Sequence, residues 1–146
     1  MFIFKLQSVL EYRKNIEEKI HNEFSEIKRE LHTQRLRMKS LIQERNNLIA
    51  EMRNMQNKPL PVSDFTVQFS YVEQVRGSEK TQKIVIHQIK EQVESKRKEL
   101  LEAVKKRKIM EKLKQRHTEE YNNNLRNAEQ KSSDEMSVLK FGRRGA

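Results

Sequence analysis

From Leu6 onward the first third of the chain repeats in steps of four and three. The positions are Leu6, Leu10, Arg13, Glu17, Ile20, Phe24, Ile27, Leu31, Gln34, Met38, Leu41, Arg45, Leu48, Met52 and Met55, and eleven of the fifteen are apolar. That alternation is the seam of a coiled coil about seven heptads long. A helix over residues 1–56 spans roughly 80 Å at about 1.5 Å per residue. Between the seam positions lie Glu23, Glu26, Lys28, Arg29 and Glu30, the charged flank that such a helix turns to solvent. Val9, Ile16, Ile42 and Ile49 widen the stripe, which suits more than one neighbour. Arg13, Glu17, Gln34 and Arg45 weaken the seam.

The segment Asn57-Lys-Pro-Leu-Pro-Val-Ser63 interrupts this pattern. Each proline removes a backbone donor and biases the residue before it away from the helical region, so residues 57–63 form a turn between two helices. Ser63 is the expected N-cap of the second helix, with Asp64 in its first turn against the helix dipole. This helix is expected over residues 64–139, roughly 115 Å if unbroken. Gly77-Ser78 is its weak point. Beyond it Ile86, Ile89, Val93, Leu100, Ala103 or Val104, Met110, Leu113, Tyr121, Leu125, Ala128, Met136 and Leu139 keep an apolar stripe, with one-position drifts that suggest stutters. Residues 140–146 read as a frayed basic tail. The expected fold is all-α: a single domain over 1–146 in which two long helices form an antiparallel coiled-coil hairpin.

A fold-back in the middle of the 57–63 turn exhausts the first helix opposite about residue 118. The rest of the second helix then overhangs, with Tyr121, Leu125, Ala128, Met136 and Leu139 at helical spacing and no intramolecular cover. Such a stripe calls for another surface. Nearer the turn, Phe65, Phe69 and Val72 continue the expected seam, whereas Val67, Tyr71 and Val75 form a second stripe about 100° away. One helix cannot cover both, and the second stripe suits a docking partner.

Composition agrees with narrow packing: 34% of the 146 residues are apolar and 36% charged, with three glycines and no tryptophan. With no cysteine, disulfides, thiol nucleophiles and thiolate metal sites are excluded. The apolar opening Met1-Phe-Ile-Phe4 meets Lys5 at once, too short for a signal-peptide core, so the protein is expected in the cytoplasm. The formal charge of +10 is uneven, because residues 96–116 alone carry ten basic and three acidic side chains. An excess of this kind points to an acidic partner surface.

Little suggests catalysis. His21, His32, His87 and His117 are scattered, and the Glu17–His21 pair at i, i+4 lacks a third ligand, so no metal or cofactor is expected. The chain has no glycine-rich phosphate loop and no Gly-x-Ser-x-Gly elbow, and two paired helices enclose no pocket. Action by contact is the expectation.

Four stretches stand out together: Phe4-Lys-Leu-Gln-Ser-Val-Leu10-Glu-Tyr-Arg13, the aromatic patch after the turn, Met110-Glu-Lys-Leu-Lys-Gln-Arg116 followed by Tyr121, and Asn127-Ala-Glu129-Gln-Lys-Ser-Ser-Asp134-Glu135. In order and spacing they resemble the FliJ family of flagellar export proteins. The resemblance implies a non-enzymatic, cytoplasmic component of the flagellar type III protein export apparatus, similar to the gamma-subunit stalk of rotary ATPases. It implies binding at the centre of the hexameric ring of the export ATPase FliI, promotion of ring assembly, contact with the cytoplasmic domain of the export gate protein FlhA, and escort of export chaperones. When assembled, such a protein lies peripherally at the inner face of the cell membrane. The family's gate-binding aromatic and aliphatic pair corresponds to Tyr71 and Val75, beside Val67. For the ring, the basic segment supplies Lys105, Lys106, Arg107, Lys108 and Lys112, and the overhang supplies Tyr121, Leu125, Ala128 and Met136. Two rival readings stay open: a basic helical nucleic-acid-binding protein, although the basic segment holds no aromatic platform for bases, and a structural coiled coil of a related virulence secretion system.

Overall fold

The computed structural model describes every residue except Lys58, Leu60, Gly145 and Ala146, and the side chain of Arg144. It is all-α, with α1 over Gln7–Met55 and α2 over Val62–Arg144. Two compact units divide it, one of residues 19–100 and the other of 1–18 with 101–146. In each unit a stretch of α1 packs antiparallel against a stretch of α2.

In the unit of residues 19–100, partners on α2 rise in number as those on α1 fall. Glu51 meets Gln68 at 2.7 Å, Arg45 meets Glu79 at 2.8 Å, and Gln34 meets Gln82 at 2.7 Å. Glu23 then meets Lys96 at 2.6 Å. In the unit of 1–18 and 101–146, Glu17 bonds Arg107, the Phe4 ring lies edge-on to His117 at 5.6 Å, and Phe2 lies against Tyr121 at 5.5 Å.

On α1 the seam matches the sequence pattern, since every expected position from Leu10 to Met55 is buried or half-buried. Only Leu6, which precedes the helix, is exposed. On α2 the pattern differs from the expectation. Burial there follows Gln68, Val72, Val75, Glu79, Gln82, Ile86, Ile89, Val93, Lys96 and Leu100, and then Ala103, Arg107, Met110 and Lys114. This is an unbroken alternation of fours and threes, so the stutters inferred from the apolar residues are absent from this stretch. They arose because Gln68, Glu79, Gln82, Lys96, Arg107 and Lys114 occupy seam positions without being apolar.

These polar residues are tolerated because most face a polar partner. Glu79 is 7% exposed, and a carboxylate so deep in a seam is costly unless paired. Arg45 supplies the charge, leaving one Glu79 oxygen, Oε1, without a hydrogen bond. Gln82 donates both to the Gln34 carbonyl at 2.9 Å and to its side-chain oxygen. Arg107 bridges Glu17 and Glu111, and these hydrogen bonds hold its guanidinium more firmly protonated than usual. Three of the four seam positions expected to weaken α1 are therefore half of a cross-helix pair.

Local details depart from the sequence in three places. The expected turn at 57–63 lies partly outside the described residues, at Lys58 and Leu60. Within it α2 begins at Val62, so Ser63 sits in the first turn instead of capping it, while Asp64 is in the first turn as expected. The Asp64 amide bonds the Pro61 carbonyl at 3.1 Å. The helix continues through Gly77, where a Cβ would meet nothing within 4 Å, and on to Arg144 instead of ending near Leu139.

Two outcomes are expected. Replacing Arg45 by Ala strands the Glu79 carboxylate and costs about 1–3 kcal/mol in urea unfolding followed by circular dichroism. The double change Arg45→Leu with Glu79→Leu restores that stability, because an apolar pair needs no desolvation of charge. The second outcome concerns pH. The hydrogen bond from Lys96 holds the Glu23 carboxyl below its ordinary 4.5. Its contribution is thus complete above pH 4.5 and is lost as pH falls through the lower folded-state value. Melting temperature measured against pH should fall less steeply on this acid limb for Glu23→Gln than for the parent.

Candidate functional site

Surfaces left over by the seam are the candidate sites. After the turn, Val67 and Tyr71 are each 54% exposed and lie on the flank of α2 that carries Ser78 and Val85. Val75 does not belong with them. At 8% exposed it is a seam residue like Val72, so the free second stripe is shorter than the sequence suggested. Phe69, expected in the seam, lies outside it at 49% exposed and borders a groove of about 230 Å³ with Ile49, Met52, Gln56 and Arg76. Phe65, also expected there, is the exposed end of the seam row. The apolar surface near the turn thus has two flanks, Val67 with Tyr71 on one and Phe69 on the other, separated by the buried row.

The basic segment also divides once folded. Arg107 is committed to Glu17 and Glu111 inside the seam, and Lys96 to Glu23 and Glu99. Neither is a free surface charge. Lys105, Lys108 and Lys112 follow one another at i, i+3 and i+7 along the outer side of α2, all exposed. Lys105 approaches Glu102 at 3.4 Å, and the other two have no carboxylate within ion-pair distance among the described residues. Lys106 is exposed on a neighbouring flank.

At the end of α2, pairing continues to Tyr121, further than the sequence implied. Tyr121 is half-buried against Phe2, so it closes the packed region instead of opening the overhang. From Asn122 to Arg143 every residue is exposed. Leu125 at 47%, Met136 at 57% and Leu139 at 66% show large apolar side chains to solvent, and Ala128 is exposed between them.

Two of the side chains that could ligate a metal already have partners. His87 lies 3.0 Å from Glu91 on the α2 surface, and Glu17 is engaged by Arg107. Among the described residues no group of three His, Cys, Asp or Glu side chains could hold a metal ion, and no helix is long and apolar enough to cross a membrane. What the arrangement offers is contact surface: a basic outer stripe, a bare apolar helix end and an aromatic patch beside the turn.

Sequence reasoning identified these three regions but assigned individual residues unevenly. Recognising Glu79 and Gln82 as the complements of Arg45 and Gln34 was the available signal, since charged and amide residues recur at the same heptad positions on both helices.

A protein-family model described as Flagellar FliJ protein matches residues 1–146, the whole chain. No curated protein and no solved structure matches it. With two helices paired through a heptad seam in each unit and this match across every residue, the chain belongs to the FliJ family, flagellar proteins of the type III export apparatus.

Proposed function

We propose that the chain acts by contact as the central component of the export ATPase ring, promoting ring assembly, linking it to the export gate and escorting unloaded export chaperones. The observation that carries this reading is the bare end of α2. A helix that continues for some twenty residues past its last partner, with Leu125, Ala128, Met136 and Leu139 exposed, presents an apolar stripe that another protein must cover. Lys105, Lys108 and Lys112 in the same unit add positive charge, and Lys106 flanks them. Apolar burial then provides the affinity, and charge steers the approach to an acidic surface. Arg107 and Tyr121 support the site from within the fold instead of touching the ring. In the unit of residues 19–100, Val67 and Tyr71 are the gate-binding residues, and Val75 holds the helix that displays them.

Changing Lys105, Lys108 and Lys112 together to Glu should weaken binding of the purified export ATPase, with a deficit that shrinks as salt is raised. Leu125→Ala with Met136→Ala should weaken it with little salt dependence. Equal affinity of the parent and both variants in a binding titration overturns the assignment of the ring to this surface.

The patch near the turn separates in a different way. Val67→Ala with Tyr71→Ala should abolish binding of the gate's cytoplasmic domain and leave the melting curve unchanged. Val75→Ala should lower stability by about 2 kcal/mol, because it removes buried apolar area.

A further inference from the structure

Counting charges along the chain hides how the fold distributes them. In the unit of residues 19–100 the seam has two edges. On one, the Lys96 ammonium reaches both Glu23 of α1 at 2.6 Å and Glu99 of α2 at 3.0 Å, so these carboxylates flank the seam on the same side. Glu30, Glu44 and Glu51 follow Glu23 at multiples of seven residues, with Arg37 the one basic member of the row, so that edge of α1 is mainly acidic. On the other edge, Ile49 and Gln56 of α1 line one groove with Phe69 and Arg76 of α2. Stepping by sevens from these residues gives Ile42, Arg35 and Lys28 on α1, and Lys83, Lys90 and Arg97 on α2. Lys39 and Lys80 stand beside them in the next row out.

This second edge is basic on both helices. Its ends are partly neutralised, with Arg76 bonded to Glu73 at 3.0 Å and Arg97 to Glu94 at 2.6 Å. Between them Lys28, Arg35, Lys39, Lys80, Lys83 and Lys90 are exposed, and among the described residues none has a carboxylate within ion-pair distance. A coiled coil gains stability when flanking charges of opposite sign face each other across the seam, and like charges there oppose pairing. Lys28 lies over the Phe24 ring at 5.3 Å, and among the described residues the other five cations have no partner that favours the fold. All six also lie outside both the basic outer stripe at Lys105–Lys112 and the patch at Val67 and Tyr71.

We propose that this edge, centred on Arg35, Lys83 and Lys90, docks an acidic α-helix of a partner protein. The spacing favours a helix. Cations seven residues apart recur about every 10.5 Å, the distance at which a straight helix repeats a face. The protein's own opposite edge, with Glu23, Glu30, Glu44 and Glu51, shows the kind of ladder that fits. A second copy is a poorer occupant, because two chains of formal charge +10 repel at long range, whereas an acidic partner is attracted. The Phe24 ring beneath Lys28 is half-buried in the seam, and no exposed Phe, Tyr or Trp stands among the six cations to stack on bases, which disfavours single-stranded nucleic acid.

The test uses the full chain and a synthetic helical peptide with Glu at heptad positions, alongside a peptide of the same composition in scrambled order, a DNA duplex and anionic phospholipid vesicles. The heptad peptide should bind with one-to-one stoichiometry, at least tenfold tighter than the scrambled one, and more weakly as salt rises. The variant Arg35→Glu, Lys39→Glu, Lys83→Glu, Lys90→Glu should lose that binding while keeping its helicity and a melting temperature no lower than the parent's. Charge reversal of Lys105, Lys108 and Lys112 should leave peptide binding within twofold, which separates this edge from the ring surface. Equal binding of the two peptides, tighter binding of the duplex or the vesicles, retained binding by the four-site variant, or salt-sensitive self-association of the parent in sedimentation overturns the proposal.

Discussion

The polar pairs that cross the seam fix how the two helices align. Arg45 with Glu79, Gln34 with Gln82 and Glu17 with Arg107 each place a group that is costly to desolvate opposite the one group that satisfies it. Sliding α2 by one heptad in either direction preserves the apolar pattern but ruins these pairs. Glu79 then faces Met38 or Met52, Gln82 faces Ile27 or Leu41, and Arg107 faces Leu10 or Phe24. A buried carboxylate or guanidinium against hydrocarbon costs several kcal/mol, far more than any repacking of Leu for Met recovers. Apolar residues supply the attraction in this seam, and polar residues select the register. A purely leucine seam would be stronger and less specific.

Register in turn decides what is left uncovered. In the unit containing both chain ends, Glu17–Arg107 and Phe4–His117 bring pairing to its limit at Tyr121. One heptad of slippage would cover Leu125 and Ala128 or expose Thr118 and Tyr121. The length of bare α2 is thus set by hydrogen bonds made several turns away. The same holds in the other unit, where Val75 is buried and Tyr71 free because Glu79 is tied to Arg45 one turn further on.

Much of this was legible before any coordinates. The alternation from Leu10 to Met55 marked the α1 seam residue by residue, and the prolines at 59 and 61 separated the helices. The seam of α2 was misread because apolar residues alone were followed. Glu79, Gln82, Lys96 and Arg107 look like surface residues until their partners on α1 are considered, and a partner is a property of two distant segments. Val72 and Phe69 therefore seemed to share a face, and Val75 seemed free. The basic and acidic edges were hidden for a related reason. Residues 57–95 balance in charge along the chain, yet Lys83 and Lys90 go to one side of the seam. Only the fold brings Lys28 and Arg35 beside them.

The bare end of α2 differs energetically from the rest of the protein. Within the paired regions, each turn of helix is held by burial against a neighbour. Past Tyr121 the helix has only its own hydrogen bonds and side-chain pairs such as Gln130 with Asp134 at 3.3 Å. Its sequence opens with three asparagines, Asn122 to Asn124, and includes Ser132 and Ser133, all weak helix formers. An isolated helix of about twenty residues with that composition is marginal in water. A surface that covers Leu125, Ala128, Met136 and Leu139 therefore stabilises the helix as well as burying apolar area, and the ordering cost is drawn from the binding free energy. Binding there is weaker per unit area than a rigid helix would give. In exchange, the segment can adapt to partner surfaces that differ in detail.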